Sequence, residues 1–197
     1  ATASGLIGND TLTLTVTGYG TNVGTHTATV KAFTNGNYTL LADSTKSYTI
    51  SQKEITVQWN VGTYVYSGNP QGPTATASGL VSGDTLTLTV TGIETNAGNH
   101  TATVAAFTEG NYKLSANSTQ AYTINHKEIT VVWTVGTYEY SGSPQGPTAT
   151  ANGLVGNDTL ALTVTGYGTN AGSHTATVVA FADGNYKLTS NSTQSYT

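Results

Sequence analysis

The chain contains no cysteine and no arginine, and charged residues make up only 8% of its 197 positions. Without cysteine there is no disulfide framework and no thiolate to act as nucleophile or metal ligand. Six lysines face ten acids, which excludes nucleic acid as a partner, because phosphate binding needs a cationic surface. The same balance gives no attraction to anionic lipid. No apolar run approaches the roughly 18 residues needed to span a bilayer, so no membrane insertion is expected in this segment. No signal-peptide pattern is visible, and an internal fragment would carry none. Small secreted domains often rely on disulfides because their cores are marginal. Modules without them must be stabilised by packing, by their neighbours or by an unusual covalent link.

What the chain does have is a repeat. The string KEITVxWxVGTYxYSGxPQGPTATA begins at Lys53 and again at Lys127, an offset of 74 residues. The same offset relates Gly5, Gly79 and Gly153, then Asp10, Asp84 and Asp158, then His26, His100 and His174. It also relates Asn37-Tyr38, Asn111-Tyr112 and Asn185-Tyr186. Residues 53–123 and 127–197 agree at 54 of 71 positions, so the copies are recent duplicates. Three segments follow: a partial copy lacking its first strand (1–52), a complete copy (53–126) and a nearly complete one (127–197). An array that starts and stops inside a repeat is expected to be a window on a longer protein.

Period-two alternation points to strands throughout. Ile55, Val57, Trp59 and Val61 share one face, and so do Leu86, Leu88 and Val90 in Asp84–Gly92. Thr85, Thr87, Thr89 and Thr91 take the opposite face. In 100–107, Ala102, Val104 and Ala106 alternate with Thr101 and Thr103. Threonine fills about a fifth of the chain, as suits a β-branched residue on solvated strand faces. Turn residues separate the strands, as in Ser67-Gly-Asn-Pro70, Ser82-Gly-Asp84, Asn96-Ala-Gly98 and Glu109-Gly-Asn111. The pattern predicts an all-β chain of tandem small antiparallel immunoglobulin-like β-sandwiches, with Trp59 and Trp133 in the structural core. The junction Ile124-Asn-His-Lys127 has no Gly, Pro or Ser spacer, which predicts an elongated, fairly stiff rod.

Tyr66-Ser-Gly-Asn-Pro-Gln-Gly-Pro-Thr74, then Ala77-Ser-Gly-Leu-Val-Ser-Gly-Asp84, Thr95-Asn-Ala-Gly-Asn-His-Thr-Ala-Thr-Val104 and Gly110-Asn-Tyr-Lys-Leu114 occur in this order. Together they make the repeat resemble the MBG-type bacterial immunoglobulin-like repeats of long secreted or wall-anchored surface proteins. The resemblance covers the whole repeat. It implies an extracellular, cell-surface setting and an adhesin-like or fibre-forming spacer role, with no catalytic residues to carry over. His100, like His26 and His174, departs from the tyrosine expected after the Asn-Ala-Gly turn.

Residues with chemical potential each have a plainer reading. Asp10, Asp84 and Asp158 offer one acid per turn, whereas calcium takes six to eight oxygens, so a turn-closing role is expected. One histidine per copy with no second ligand nearby is weak for metal, and a hydroxyl nucleophile would need a base and an orienting acid. No catalytic, cofactor or metal site is therefore expected. The threonine ladder from Thr85 to Thr91 is reminiscent of ice-binding arrays, but those need a flatness that sandwich sheets, which twist, do not provide. Lys53 and Lys127 with Asn117 and Asn191, or Asp43 in the first copy, are the candidates for an isopeptide bond, though these lysines lie at domain junctions. Asn-x-Ser/Thr sequons at Asn9, Asn37, Asn99, Asn117, Asn157 and Asn191 matter only in a glycosylating host.

Two functions are thus in view. One is a stalk or spacer whose partners are neighbouring repeats of the same protein, with strand addition from another chain possible at the truncated first copy. The other is an array of weak modules binding a host glycan or protein by avidity. Sugar sites need flat exposed aromatic faces, and Tyr64 and Tyr66, with Tyr138 and Tyr140, are the candidates for them.

Overall fold

The computed structural model describes residues 1–189 and 192–197, and every regular segment among them is a β-strand. No helix among the described residues is long and apolar enough to cross a membrane. The chain divides into two compact units. One comprises Ala1–Val57, Ala77–Thr87 and Ala105–Asn117; the other comprises Gln58–Thr76, Leu88–Val104 and Ser118–Thr197. Each unit therefore holds one junction between successive sequence copies.

In the first unit, Gly24–Val30 pairs antiparallel with Ser44–Ile50, and Val16–Thr17 adds to its other edge. Phe33–Asn35 and Tyr38–Leu40 form a hairpin. The corresponding hairpin of the second copy, Phe107–Glu109 with Tyr112–Leu114, takes Lys53–Glu54 as a third, parallel strand. Lys53 N donates to the Asn111 carbonyl and Ile55 N to that of Lys113.

The second unit repeats the scheme. Gly98–Val104 pairs with Ser118–Asn125, whose far edge receives Tyr64–Val65 in parallel. In the third copy His174–Val178 pairs with Ser192–Tyr196 and with Val164–Thr165, and Lys127–Glu128 joins the hairpin of Ala182–Asp183 and Tyr186–Lys187. Thr130–Thr134 pairs with Thr148–Asn152 from Thr130↔Asn152 to Thr134↔Thr148. The core here is built on Tyr66, Ala102, Tyr122, Ile124, Ile129 and Tyr186. Three tyrosine rings and two isoleucines supply most of its volume beside Ala102, and packing of this kind is what stabilises a disulfide-free module.

Three expectations change in detail. Asp84–Gly92 shows the expected alternation, with Leu86, Leu88 and Val90 half-buried between exposed threonines. Its ladder bonds, however, are confined to the bridge between Thr91 and Thr103. Val61 and Val135 do not share the buried face: they are exposed, lying just beyond the strands that end at Asn60 and Thr134. Trp59 and Trp133 are half-buried rather than fully buried. Their indole nitrogens reach out to donate to Ser118 Oγ at 3.0 Å and Ser192 Oγ at 3.2 Å. A ring with a polar edge satisfies that edge at the rim of the core.

Candidate functional site: the junctions between copies

The polar side chains singled out by the repeat are occupied in holding loops. Asp10, Asp84 and Asp158 each close a turn, their amides donating to the carbonyls of Ile7, Val81 and Val155. Their carboxylates accept from the hydroxyls of Tyr38, Tyr112 and Tyr186. The same hydroxyls accept from the amides of Ile7, Val81 and Val155, so each phenol locks the turn from both sides. Tyr48, Tyr122 and Tyr196 work in the same manner: Tyr122 Oη, for example, accepts from Glu94 N and donates to the Gly92 carbonyl.

The histidines bond the carbonyl four residues earlier, His100 to Asn96 at 2.9 Å, and lie against Tyr48, Tyr122 and Tyr196 with ring centroids 5.5 Å apart. Among the described residues no three His, Cys, Asp or Glu side chains gather as a metal site. Asn117 Oδ1 accepts from Ala106 N, as Asp43 Oδ1 does from Ala32 N, both at 2.8 Å. Lys53 is exposed, in the ladder beside Tyr112. Asn191 lies outside the described residues.

The distinctive geometry is where one copy meets the next. In the first unit, Asn111 Oδ1 accepts from Val23 N at 2.8 Å while its Nδ2 donates to Asn22 Oδ1 at 3.1 Å. In the second unit, Asn185 makes the same pair of bonds to Ala97 N at 2.7 Å and Asn96 Oδ1 at 3.2 Å. One asparagine per copy thus clamps the Thr-Asn-Val/Ala turn of the copy before it. Sequence reasoning had marked Asn111 and Asn185 only as members of a repeated Asn-Tyr pair; that recurrence was the available signal.

The four candidate tyrosines fall in different places. Tyr66 is 8% exposed. Its hydroxyl donates to Asp158 Oδ2 at 2.8 Å, and its ring meets that of Tyr186 edge-on at 5.4 Å. Tyr64 and Tyr138 are half-buried. They stand edge-on to Tyr122 and Tyr196, and their hydroxyls accept from Gly62 N and Gly136 N. Tyr140, at the same repeat position as Tyr66, is 74% exposed. Tyr66 presents no free aromatic face because the following copy covers it.

These contacts shift titration. The Asp158 carboxyl is held below the usual carboxylate range, first by the Tyr186 hydroxyl and then by that of Tyr66. Tyr66 is pushed up by donating to Asp158, Tyr112 by donating to Asp84, and Tyr186 first by burial and then by Asp158. A hydrogen bond from a phenol stabilises the carboxylate and the neutral phenol together.

The first junction holds a cavity of about 330 Å³ lined by Asn22, Val23, Ile50, Asp84, Asn111 and Tyr112. Shifted by one repeat, these positions are Asn96, Ala97, Ile124, Asp158, Asn185 and Tyr186, the neighbourhood of Tyr66. The cavity is the slot that a tyrosine fills at the second junction. Comparison with known protein families, curated proteins and solved structures returns no match to this chain.

Proposed function

We propose that the chain is a run of MBG-type immunoglobulin-like spacer repeats in an extracellular bacterial surface protein, where it acts as a stalk. The observation that carries this reading is the asparagine clamp repeated at both junctions, Asn111 on Val23 and Asn185 on Ala97. A side chain that recurs at each junction to fix its own copy against the one before it serves an array. The histidine, aspartate and tyrosine side chains that could do chemistry spend their polar atoms on internal loops, which suits a load-carrying module. On this reading neighbouring repeats are the main partners and the array is an elongated rod.

The test is small-angle scattering on chains with one, two and three added 74-residue copies. Each copy should extend the maximum dimension by a constant few tens of ångströms, the span of a strand of about eight residues. A dimension that grows only as the cube root of mass would refute the stalk.

A further inference from the structure

We propose that the segment 118–128 carries tension from one copy to the next, held so that a pull along the chain places its hydrogen bonds in shear. The inference deepens the stalk reading and rests on it for the direction from which force arrives.

The segment ends one copy and opens the following one. Ser118–Asn125 is the last strand of the second copy and Lys127–Glu128 the first of the third, with only His126 between them. Each is paired in parallel with an element of its own copy. Ile124 and Asn125 lie beside Tyr64 and Val65, and Lys127 and Glu128 lie beside Tyr186 and Lys187. Tyr66 N donates to the Asn125 carbonyl at 2.9 Å, Lys127 N to that of Asn185 at 2.9 Å and Ile129 N to that of Lys187 at 3.2 Å. Asn125 adds a side-chain bond, its Nδ2 donating to the Tyr64 carbonyl at 3.1 Å.

The parallel direction decides how such bonds break. A pull along the chain draws the earlier strand of a parallel pair toward its N-terminus and the later one toward its C-terminus. The force then runs along the strands and across the bonds, so the bonds share it and fail together. A hairpin pulled at its open end loses its bonds one at a time. Tension from the third copy drives Asn125 forward against Tyr64 and Val65. Tension from the second copy draws Lys127 back against Tyr186 and Lys187.

Sliding is opposed by more than these bonds. Tyr122 and Ile124 are 5% and 1% exposed, and a slip of one residue would turn both outward and carry Thr123 and Asn125 into the core. Tyr122 Oη is also tied to Glu94 N and the Gly92 carbonyl. The other edge of the strand is held antiparallel from Gly98↔Ile124 to Val104↔Ser118. Tyr66 with Asp158 and Asn185 with Ala97 join the two copies side to side, which keeps the segment in line with the pull. In the first unit Lys53–Glu54 is held in parallel by Tyr112–Leu114 through the same backbone bonds, so the device recurs.

The test holds single molecules of the intact chain at constant force through cysteine handles, which are unambiguous because the sequence has no cysteine of its own. Thr63→Cys with His126→Cys grips the pair of Tyr64–Val65 with Ile124 and Asn125 at opposite ends and pulls it in shear. Thr63→Cys with Thr123→Cys grips the same pair at one end, and Ser67→Cys with His126→Cys grips it at the other; both open it as a zipper. Each zipper shares one substitution with the shear chain, so a change in stability from either handle is matched. Forced unfolding follows the unfolding rate, and at equal force the shear chain should survive about tenfold longer than either zipper. Lifetimes equal in the three geometries, or longer in a zipper, would overturn the proposal. An extended scattering profile with equal lifetimes refutes the shear geometry alone, and a tenfold ratio with a compact profile refutes the stalk alone.

Discussion

Tyr66 Oη donates to Asp158 Oδ2 across 92 residues of sequence, tying the end of one copy's opening strand to the first turn of the next. Replacing Tyr66 with Phe keeps the edge-on ring contact with Tyr186 and removes this bond. Chemical denaturation should show lower stability for Tyr66→Phe and none of that loss for Tyr140→Phe, whose ring is exposed. Equal effects at both positions would mean that the contact with Asp158 contributes nothing.

The asparagine clamp gives a matched pair of substitutions. Asn185→Ala leaves Ala97 N without its 2.7 Å acceptor, which should cost about 1–2 kcal/mol for a part-buried amide left unpaired. Asn37→Ala alters the corresponding exposed side chain of the first copy and should leave the denaturation midpoint unchanged.

Acid should act through Asp158. Its folded-state carboxyl lies below the ordinary value because Tyr186 and Tyr66 donate to it. Its stabilising contribution is therefore complete above the unfolded value, about pH 4, and is lost as pH falls through the depressed one. Asp158→Asn should flatten the acid limb of the stability profile. On the alkaline side the sign reverses. Tyr66, Tyr112 and Tyr186 are raised, so their contribution is complete below the ordinary phenol range and is lost above the raised values. Phenolate absorbance should show a group of tyrosines titrating late, reduced in Asp158→Asn.

Gly92 has φ +76°, and a Cβ there would lie 2.3 Å from the Thr101 carbonyl oxygen. Gly92→Ala should cost about 3 kcal/mol or more, from the left-handed backbone and the displaced ladder together. Gly136→Ala meets only the Tyr138 side chain, no closer than 3.6 Å, and should stay within about 1 kcal/mol of the parent. Thermal melts of the two variants decide this.

Trp133→Ala removes a half-buried ring and its bond to Ser192 and should cost about 3 kcal/mol, the low end for a core aromatic. Intact mass should equal that of the unmodified sequence. A deficit of about 17 Da per copy, one ammonia, would reveal a lysine–asparagine cross-link and would require Asn117 to leave Ala106 N.

The alternation at Ile55, Leu86 and Val104 made the all-β class legible from residues alone, since a strand's period of two is a local property. The partner of each strand was not. Asp84–Gly92 alternates as clearly as 55–59, yet only Thr91 finds a ladder partner, because hydrogen bonding needs a second backbone at the right distance. Val61 was placed with the core by the same alternation, but the strand stops one residue before it.

By itself the sequence determined the repeat, its 74-residue offset and the strand character of each segment. The tertiary structure alone decided what each repeated side chain meets. Tyr66 and Tyr140 sit in nearly identical local sequence, yet one is buried and the other 74% exposed. Burial belongs to two surfaces at once, and the residues around a tyrosine encode only one of them. Asn111 and Asn185 were unreadable as clamps for the same reason, since their acceptor and donor partners belong to the preceding copy.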